Sequence, residues 1–159
     1  MCRIFNKTTY KMEQTISETK ILIGEKYQPA LIEALDQATS SIRVLMFDWR
    51  WYPFEPHSSV QRLNMAFARA VQRGVKCEAL VNNLDVVAKL KEIGVDAKRF
   101  NSRDLLHSKL ALIDDCLVFI GSHNFTKNAF EHNNELSLMI YDTEVGGNLS
   151  VYFKRLWQL

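Results

Sequence analysis

The stretch His107 to Glu135, HSKLALIDDCLVFIGSHNFTKNAFEHNNE, constrains this chain more than any other part of it. It sets a histidine, a lysine, a serine, asparagines and a glutamate around two short apolar runs. The runs have a Val-Phe-Ile core and no helical period, so they read as strands, Leu105 to Ile113 and Cys116 to Ile120. Asp114-Asp115 between them reads as the tight turn of an antiparallel hairpin. Residues two apart on a strand share a face, so His107 and Lys109 point the same way, and Asp114 falls on the opposite face. The second strand ends in Gly121-Ser122, where the backbone can approach a ligand closely, and Asn124 follows at once.

This set suits a phosphodiester. Lysine is a compact cation and a good phosphate partner. Serine and asparagine can donate hydrogen bonds to non-bridging oxygens. Histidine can be a nucleophile or a general acid near neutral pH. The segment has no carboxylate or histidine cluster at metal-ligand spacing, so positive charge has to come from side chains. The expectation is attack on phosphorus without a metal or other cofactor.

At these residues the chain resembles the phospholipase D superfamily. The family signature, H-x-K-x4-D-x6-G-S-x-N, is matched by His107, Lys109, Asp114, Gly121, Ser122 and Asn124, and Glu135 resembles its downstream acidic residue. The motif occurs once, whereas most lipid-cleaving members carry it twice in a longer chain. A short chain with one copy looks like the small bacterial endonuclease branch, whose members form dimers. The looser likeness runs from about Thr19 to Tyr141. It implies an α/β fold: a phospholipase D-like α/β/α sandwich with a mixed central sheet and one motif per chain.

At 159 residues the chain is one domain, able to bury roughly two-thirds of its surface. We divide it into an N-terminal arm, 1–18, and a catalytic domain, 19–159. The net charge of +2 is too small to establish a nucleic-acid partner, so any basic patch has to be local. Cys2, Cys77 and Cys116 follow no metal pattern and read as reduced thiols rather than a disulfide frame. No apolar run approaches the length of a membrane span, and MCRIFNKTTYKMEQ lacks the shape of a signal peptide. The expectation is a cytoplasmic protein with no stable membrane association.

Short strands are expected at 20–24, 41–47, 75–81, 95–100 and 135–141. Helices are expected at 27–38, 58–73, 84–93 and 144–159, with one helical turn within 125–130 whose amino end faces the anion site. The helix at 58–73 has Ser58 or Ser59 as its cap, and its Arg62, Arg69 and Arg73 form a cationic face. DWRWYPFEP, 48–56, sets aromatics at the carboxyl end of a strand, where ligands sit in open α/β sheets. Trp49, Arg50 and Trp51 are therefore candidates for stacking on bases, set against an ordinary packing role. Lys98, Arg99 and Arg103 lead into His107 and are candidates for polyanion contacts.

In-line displacement at phosphorus needs a nucleophile on one side and an acid on the other. One imidazole cannot occupy both places. With one motif per chain, two chains each have to supply a His107, which argues for a symmetric homodimer with a composite site on its axis. One His107 attacks; the other protonates the leaving oxygen and then activates water. Lys109, Asn124 and Ser122 hold the phosphate oxygens, with Gly121 and Asp114 in support. Glu135 is the candidate to fix an imidazole tautomer, in its own chain or the partner's. Strand parity makes Asp114 structural. The leading reading is an endonuclease acting on DNA, with single-stranded DNA and RNA as further substrates. A phospholipid phosphodiesterase and a non-catalytic nucleic-acid-binding module are the alternatives.

Overall fold

The structure is a computed structural model, and it describes residues 18–159. Of the arm expected at 1–18, residues 1–17, with Cys2, lie outside the described residues. Strand β1 (Glu18–Ile23) and a 3-10 turn (Gly24–Lys26) lead into helix α1 (Tyr27–Gln37). Then follow β2 (Ser41–Met46), α2 (Ser59–Gln72), β3 (Lys76–Val81), α3 (Leu84–Glu92) and β4 (Asp96–Arg99). The hairpin is β5 (Lys109–Ile113) and β6 (Leu117–Gly121), and α4 (Lys127–Glu131), β7 (Leu136–Tyr141) and α5 (Thr143–Trp157) complete the chain. The seven strands form one mixed sheet in the order β1-β7-β6-β5-β2-β3-β4. β2, β3 and β4 run parallel, and every other pairing is antiparallel.

β2 is an interior strand, between β5 and β3, and all six of its residues are buried. Its alternate residues supply two cores, one on each face. Ile42, Val44 and Met46 pack with Leu31 and Leu35 of α1, Leu63 and Phe67 of α2, Leu90 of α3 and Phe130 of α4. Leu45 packs with Leu110, Leu112, Val118 and Phe153 of α5. The fold is therefore the expected α/β/α sandwich, with four helices on one face and α5 alone on the other.

The β5–β6 turn has a sequence cause. Asp114 and Asp115 both take positive φ, +52° and +54°, the backbone of a type I′ hairpin turn, which Asp and Asn tolerate better than most residues. The Asp114 carboxylate accepts hydrogen bonds from Thr39 N and Oγ1, Ser40 N and Oγ, and Ser41 N, so it fastens the entry to β2. Asp115 pairs with the buried Arg43, whose guanidinium also meets Glu78 at 3.2 Å and Ser150 Oγ of α5 at 3.3 Å. A buried cation with this many partners is held by the fold rather than offered to a ligand.

Gly146 explains how α5 tolerates its Gly-Gly pair. A Cβ at Gly146 would collide with the Asp115 carbonyl, whereas one at Gly147 would meet nothing within 4 Å. The first glycine lets the helix touch the hairpin turn.

Several expectations change. The strand expected at Leu105–Ile113 begins only at Lys109, and His107 sits in the extended segment before it. Glu18, counted with the arm, belongs to β1. The cationic face of α2 ties helices together: Arg69 forms a two-pronged pair with Asp36 at 2.9 Å, and Arg73 donates to the Leu35 carbonyl of α1 at 2.6 Å. Cys77 is a free buried thiol, pushed up to about 12 by burial despite the opposing Arg73 charge. Cys116 is disulfide-bonded, which overturns the reading of all three cysteines as reduced and removes one support for a cytoplasmic location. No helix of the described residues is long and apolar enough to cross a membrane.

Candidate active site

The parallel strands β2, β3 and β4 end at one edge of the sheet. β5 starts at that edge, since Lys109 pairs with Met46 at the end of β2. β6 ends there and β7 starts there, since Gly121 pairs with Ser137. His107, Lys109, Ser122, Asn124 and Glu135 therefore meet from three chain segments. A Cβ at Gly121 would collide with Ser137 and the Leu136 carbonyl, so only glycine lets β6 and β7 approach here.

His107 and Lys109 lie together, as period-two parity requires. Lys109 Nζ is 3.3 Å from His107 Nε2 and 3.5 Å from Nδ1, and it donates to the His107 carbonyl at 2.9 Å. Both rest on Phe47, whose ring centroid is 4.7 Å from that of His107 and 4.9 Å from Lys109 Nζ. Burial lowers the Lys109 ammonium below the ordinary lysine value, while the negative charge of Glu135 acts to raise it. Neither His107 nor Lys109 forms an ion pair among the described residues, so a cation and an imidazole stand open to an incoming anion.

Ser122 Oγ donates to Glu135 Oε2 and accepts from Leu136 N at 3.0 Å. Asn133 Nδ2 donates to the other Glu135 oxygen at 3.0 Å. Within one chain, then, Glu135 holds the serine and not the His107 imidazole. Asn124 Oδ1 accepts from Asp48 N at 3.2 Å, which leaves its amide nitrogen for a ligand. A cavity of about 600 Å³ opens among His107, Lys109, Gly121, Ser122 and Asn124, walled by Ile120 of β6 and Leu149 and Tyr152 of α5. Asp114 lies at the opposite end of β5, fastening residues 39–41.

The candidate nucleic-acid contacts divide. Trp49 is a core residue, 1 % exposed, with its indole N–H on Asn64 Oδ1 at 2.8 Å and its ring against Phe67 and Phe125. Trp51 is half-buried and packs on the same core. Arg50 is exposed and paired with Asp48 at 2.7 Å. The Lys98 ammonium sits over the Trp157 ring, 4.2 Å from its centroid, at the end of α5. Arg99 and Arg103 are exposed at the edge that carries the site. The short helix α4 has its free amino end answered by Thr126, whose hydroxyl accepts from Ala129 N.

Three contributors were not visible as such in the sequence. Phe47 read as the last residue of a strand and is the platform under His107 and Lys109. Asn82 read as a loop residue; its side-chain amide donates to the Phe47 and Leu106 carbonyls, at 2.8 and 3.0 Å, and so holds the His107 segment against β2. His123 occupies the variable position of the signature and is fully buried. It reaches Ser137 Oγ at 2.7 Å and the Gly24 carbonyl at 3.0 Å.

A histidine and lysine at the start of one strand, a Gly-Ser-x-Asn turn at the end of the next, and an α/β/α sandwich around them define a phosphate-chemistry domain of the phospholipase D kind. The family model described as "Cardiolipin synthase, PLD-like domain" matches residues 31–157, and the chain belongs to the phospholipase D superfamily. Mitochondrial cardiolipin hydrolase of Mus musculus is 27 % identical over 134 residues, which is 80 % of this chain and 57 % of that protein. The chain thus spans little more than half the length of that relative. Two solved structures share the fold across nearly their whole length. NucT from Helicobacter pylori has a TM-score of 0.72 at 21 % identity, covering 89 % of this chain and 96 % of that one. Nuc from Salmonella typhimurium, described as a phospholipase D family member, has a TM-score of 0.74 at 20 % identity, covering 89 % and 95 %.

Proposed function

We propose that the protein is a metal-independent endonuclease, cleaving DNA and also suited to single-stranded DNA or RNA, at a composite site shared by two copies of the chain. The observation that carries the phosphodiester chemistry is the His107–Lys109 pair. An imidazole and an ammonium 3.3 Å apart, with no carboxylate partner among the described residues, form the mouth of an open cleft. The ammonium attracts the phosphate and sets it beside the imidazole.

His107 of one chain attacks phosphorus through a ring nitrogen. The bond to the leaving oxygen breaks, and His107 of the second chain gives that oxygen its proton. A water then replaces the imidazole on phosphorus and yields its proton to the second His107, which restores both groups. Lys109 and the Asn124 amide bind the non-bridging oxygens, and Ser122 joins them when its one hydroxyl hydrogen turns from Glu135 to the phosphate.

The dimer reading rests on a second observation. Register places Ile21, Leu138, Ile120 and Leu110 in one row across β1, β7, β6 and β5, on the face that α5 covers only in part. Ile21 and Ile23 are 63 % and 60 % exposed, and Leu136 and Ile120 stand exposed beside them. This apolar face runs into the cavity through Ile120, so a second copy seated on it would bring its own His107 to the same cleft.

A second reading, phospholipid hydrolysis, is favoured by the apolar cavity wall of Ile120, Leu149 and Tyr152 and by the mitochondrial cardiolipin hydrolase relative. The deciding experiment offers plasmid, single-stranded DNA, RNA and a fluorescent phospholipid to wild type and His107→Ala in excess EDTA. Nucleic-acid cutting that survives EDTA and disappears in the variant is expected. EDTA-sensitive cutting would overturn the mechanism, and cutting of the lipid alone would establish the second reading. Location in the cytoplasm belongs to the proposal and is checked by fractionation.

A further inference from the structure

We infer that the loop between β2 and α2 is a rigid reader of unpaired bases, with Phe54 as its stacking surface. The inference rests on the nuclease reading and names the part of the substrate that the rim of the site holds.

The loop is built from two successive β-turns of the same design. Glu55 N donates to the Tyr52 carbonyl at 3.1 Å, and Ser58 N donates to the Glu55 carbonyl at 3.0 Å. Pro53 and Pro56 hold the second position of each turn, where the fixed proline φ is already correct. The third positions carry two ring side chains, Phe54 and His57, and both are exposed.

The base of the loop is fixed. Tyr52 N donates to Gln61 Oε1 of α2 at 3.3 Å. Lys127 pairs with Glu55 and lies over the Tyr52 ring, 4.6 Å from its centroid. Ser58 caps α2 through Gln61 N. Only the tip is bare: Phe54 is 95 % exposed. Third turn positions commonly take small or polar residues. An apolar ring held out on a rigid support gains when a flat surface covers it, and it loses little conformational freedom in doing so.

The loop is also joined to the site. Asp48 N donates to Asn124 Oδ1 at 3.2 Å, and Asp48 and Phe125 and then Phe125 and Arg50 exchange backbone hydrogen bonds of 3.0 Å. The chain that presents Phe54 therefore starts against a residue that binds phosphate. A nucleotide strand that follows this chain outward from Asn124 reaches the loop.

The chemistry around the ring selects the occupant. Phe54 is flanked by the two turn prolines and by the polar Glu55 and His57, and no other large apolar side chain is exposed in the loop, so it is a single aromatic surface and not the centre of a large apolar patch. A bilayer or a protein partner would call for a cluster. One heterocycle, apolar on its faces and polar at its edge, fits one ring. In a duplex those faces are already covered by neighbouring bases, so the target is an unpaired strand.

The test compares wild type, Phe54→Ala and Phe54→Trp on a single-stranded oligonucleotide, on the same oligonucleotide with abasic positions beside the cut, and on bis-p-nitrophenyl phosphate. Phe54→Ala is expected to lower kcat/KM on the oligonucleotide about tenfold relative to the small diester, mainly through KM, since stacking on one base is worth that much. Phe54→Trp should restore the ratio, and the abasic strand should erase the difference between wild type and Phe54→Ala. Equal ratios in all three proteins, with the oligonucleotide cut, would overturn this inference and leave the nuclease reading standing. Wild type that cuts the small diester and no nucleic acid would overturn both. An effect of Phe54→Ala confined to binding of anionic phospholipid vesicles would assign the ring to a membrane and overturn the inference.

Discussion

His123 lies flat against Tyr27, with ring centroids 4.3 Å apart and planes 7° from parallel. The carbonyl of Gly24 can only accept, so His123 Nε2 carries the hydrogen, and in the neutral ring Nδ1 accepts from the Ser137 hydroxyl. Gly24 N in turn donates to the Glu135 carbonyl at 3.0 Å, so the buried imidazole braces the segment that presents Glu135.

Burial holds His123 below the ordinary histidine value, although the Gly24 hydrogen bond and the Glu135 charge pull the other way. An imidazole that stays neutral in the fold while the unfolded chain takes up a proton makes stability full above pH about 6.5 and lets it decline as pH drops toward the folded value. His123→Phe keeps the stack and loses both polar links, for about 2 kcal/mol at pH 8. Its stability should then fall less between pH 6.5 and 5 than that of wild type. Urea unfolding at three pH values checks this, and parallel declines would remove His123 from the account.

Asp114 should matter to the fold and not to the chemistry. Burial works against its charge, but backbone donors from Ser41, Ser40 and Thr39 and the Ser40 hydroxyl outweigh it, and its carboxyl lies below the usual range. A depressed carboxyl adds stability that is complete above the unfolded value, about 3.9, and is lost as pH falls through the folded one. Asp114→Asn keeps a residue that tolerates positive φ and should cost about 1–2 kcal/mol at pH 7, discounted because the site is partly exposed. The difference should close in acid, below pH about 4. Because Asp114 sits at the far end of β5 from Lys109, kcat per folded molecule should hold. A loss as deep as that of His107→Ala would make it part of the site.

The two glycines of α5 should respond with opposite sign. Gly147→Ala adds a methyl group in open space within a helix and should stabilise by about 0.5–1 kcal/mol. Gly146→Ala drives a methyl group into the Asp115 backbone and should destabilise by about 1–3 kcal/mol, since β-turn and helix have to part. Thermal melts of the two single variants decide, and equal shifts would refute the close approach.

How far the sequence could be read depended on whether a property was local. His107, Lys109, Gly121, Ser122 and Asn124 were legible because residue type and spacing along two strands suffice to bring them to one edge. The cores on both faces of β2 followed from apolar runs in the same way. Trp49 was not legible, because what decides its direction is Asn64, from a helix fifteen residues on, which accepts its indole hydrogen. The partners of Arg69, Arg73 and Lys98 were not legible for the same reason: Asp36, Leu35 and Trp157 are distant in the chain. Phe47 and Asn82 act through contacts with the His107 segment that no spacing announces. Phe54 did carry a local signal, the repeated proline of YPFEPHS, which marks two turns and puts its ring at the tip.

The composite site makes a prediction about mixtures. If each site needs His107 from both chains, a chain with His107→Ala spoils every dimer it enters. After unfolding and refolding of mixed chains at fixed total concentration, random pairing leaves active only the dimers of two wild-type chains. Activity should then follow the square of the wild-type fraction, so that equal amounts of the two chains give about one quarter of the full rate. A monomeric site, or two independent sites in a dimer, would give one half. Replacing Ile21 and Ile23 by Asp in the inactive chain should keep it out of dimers and return the curve to a straight line, because those side chains lie on the exposed apolar face. A straight line without those replacements would mean that one chain suffices, and the acid that protonates the leaving oxygen would have to be sought within it.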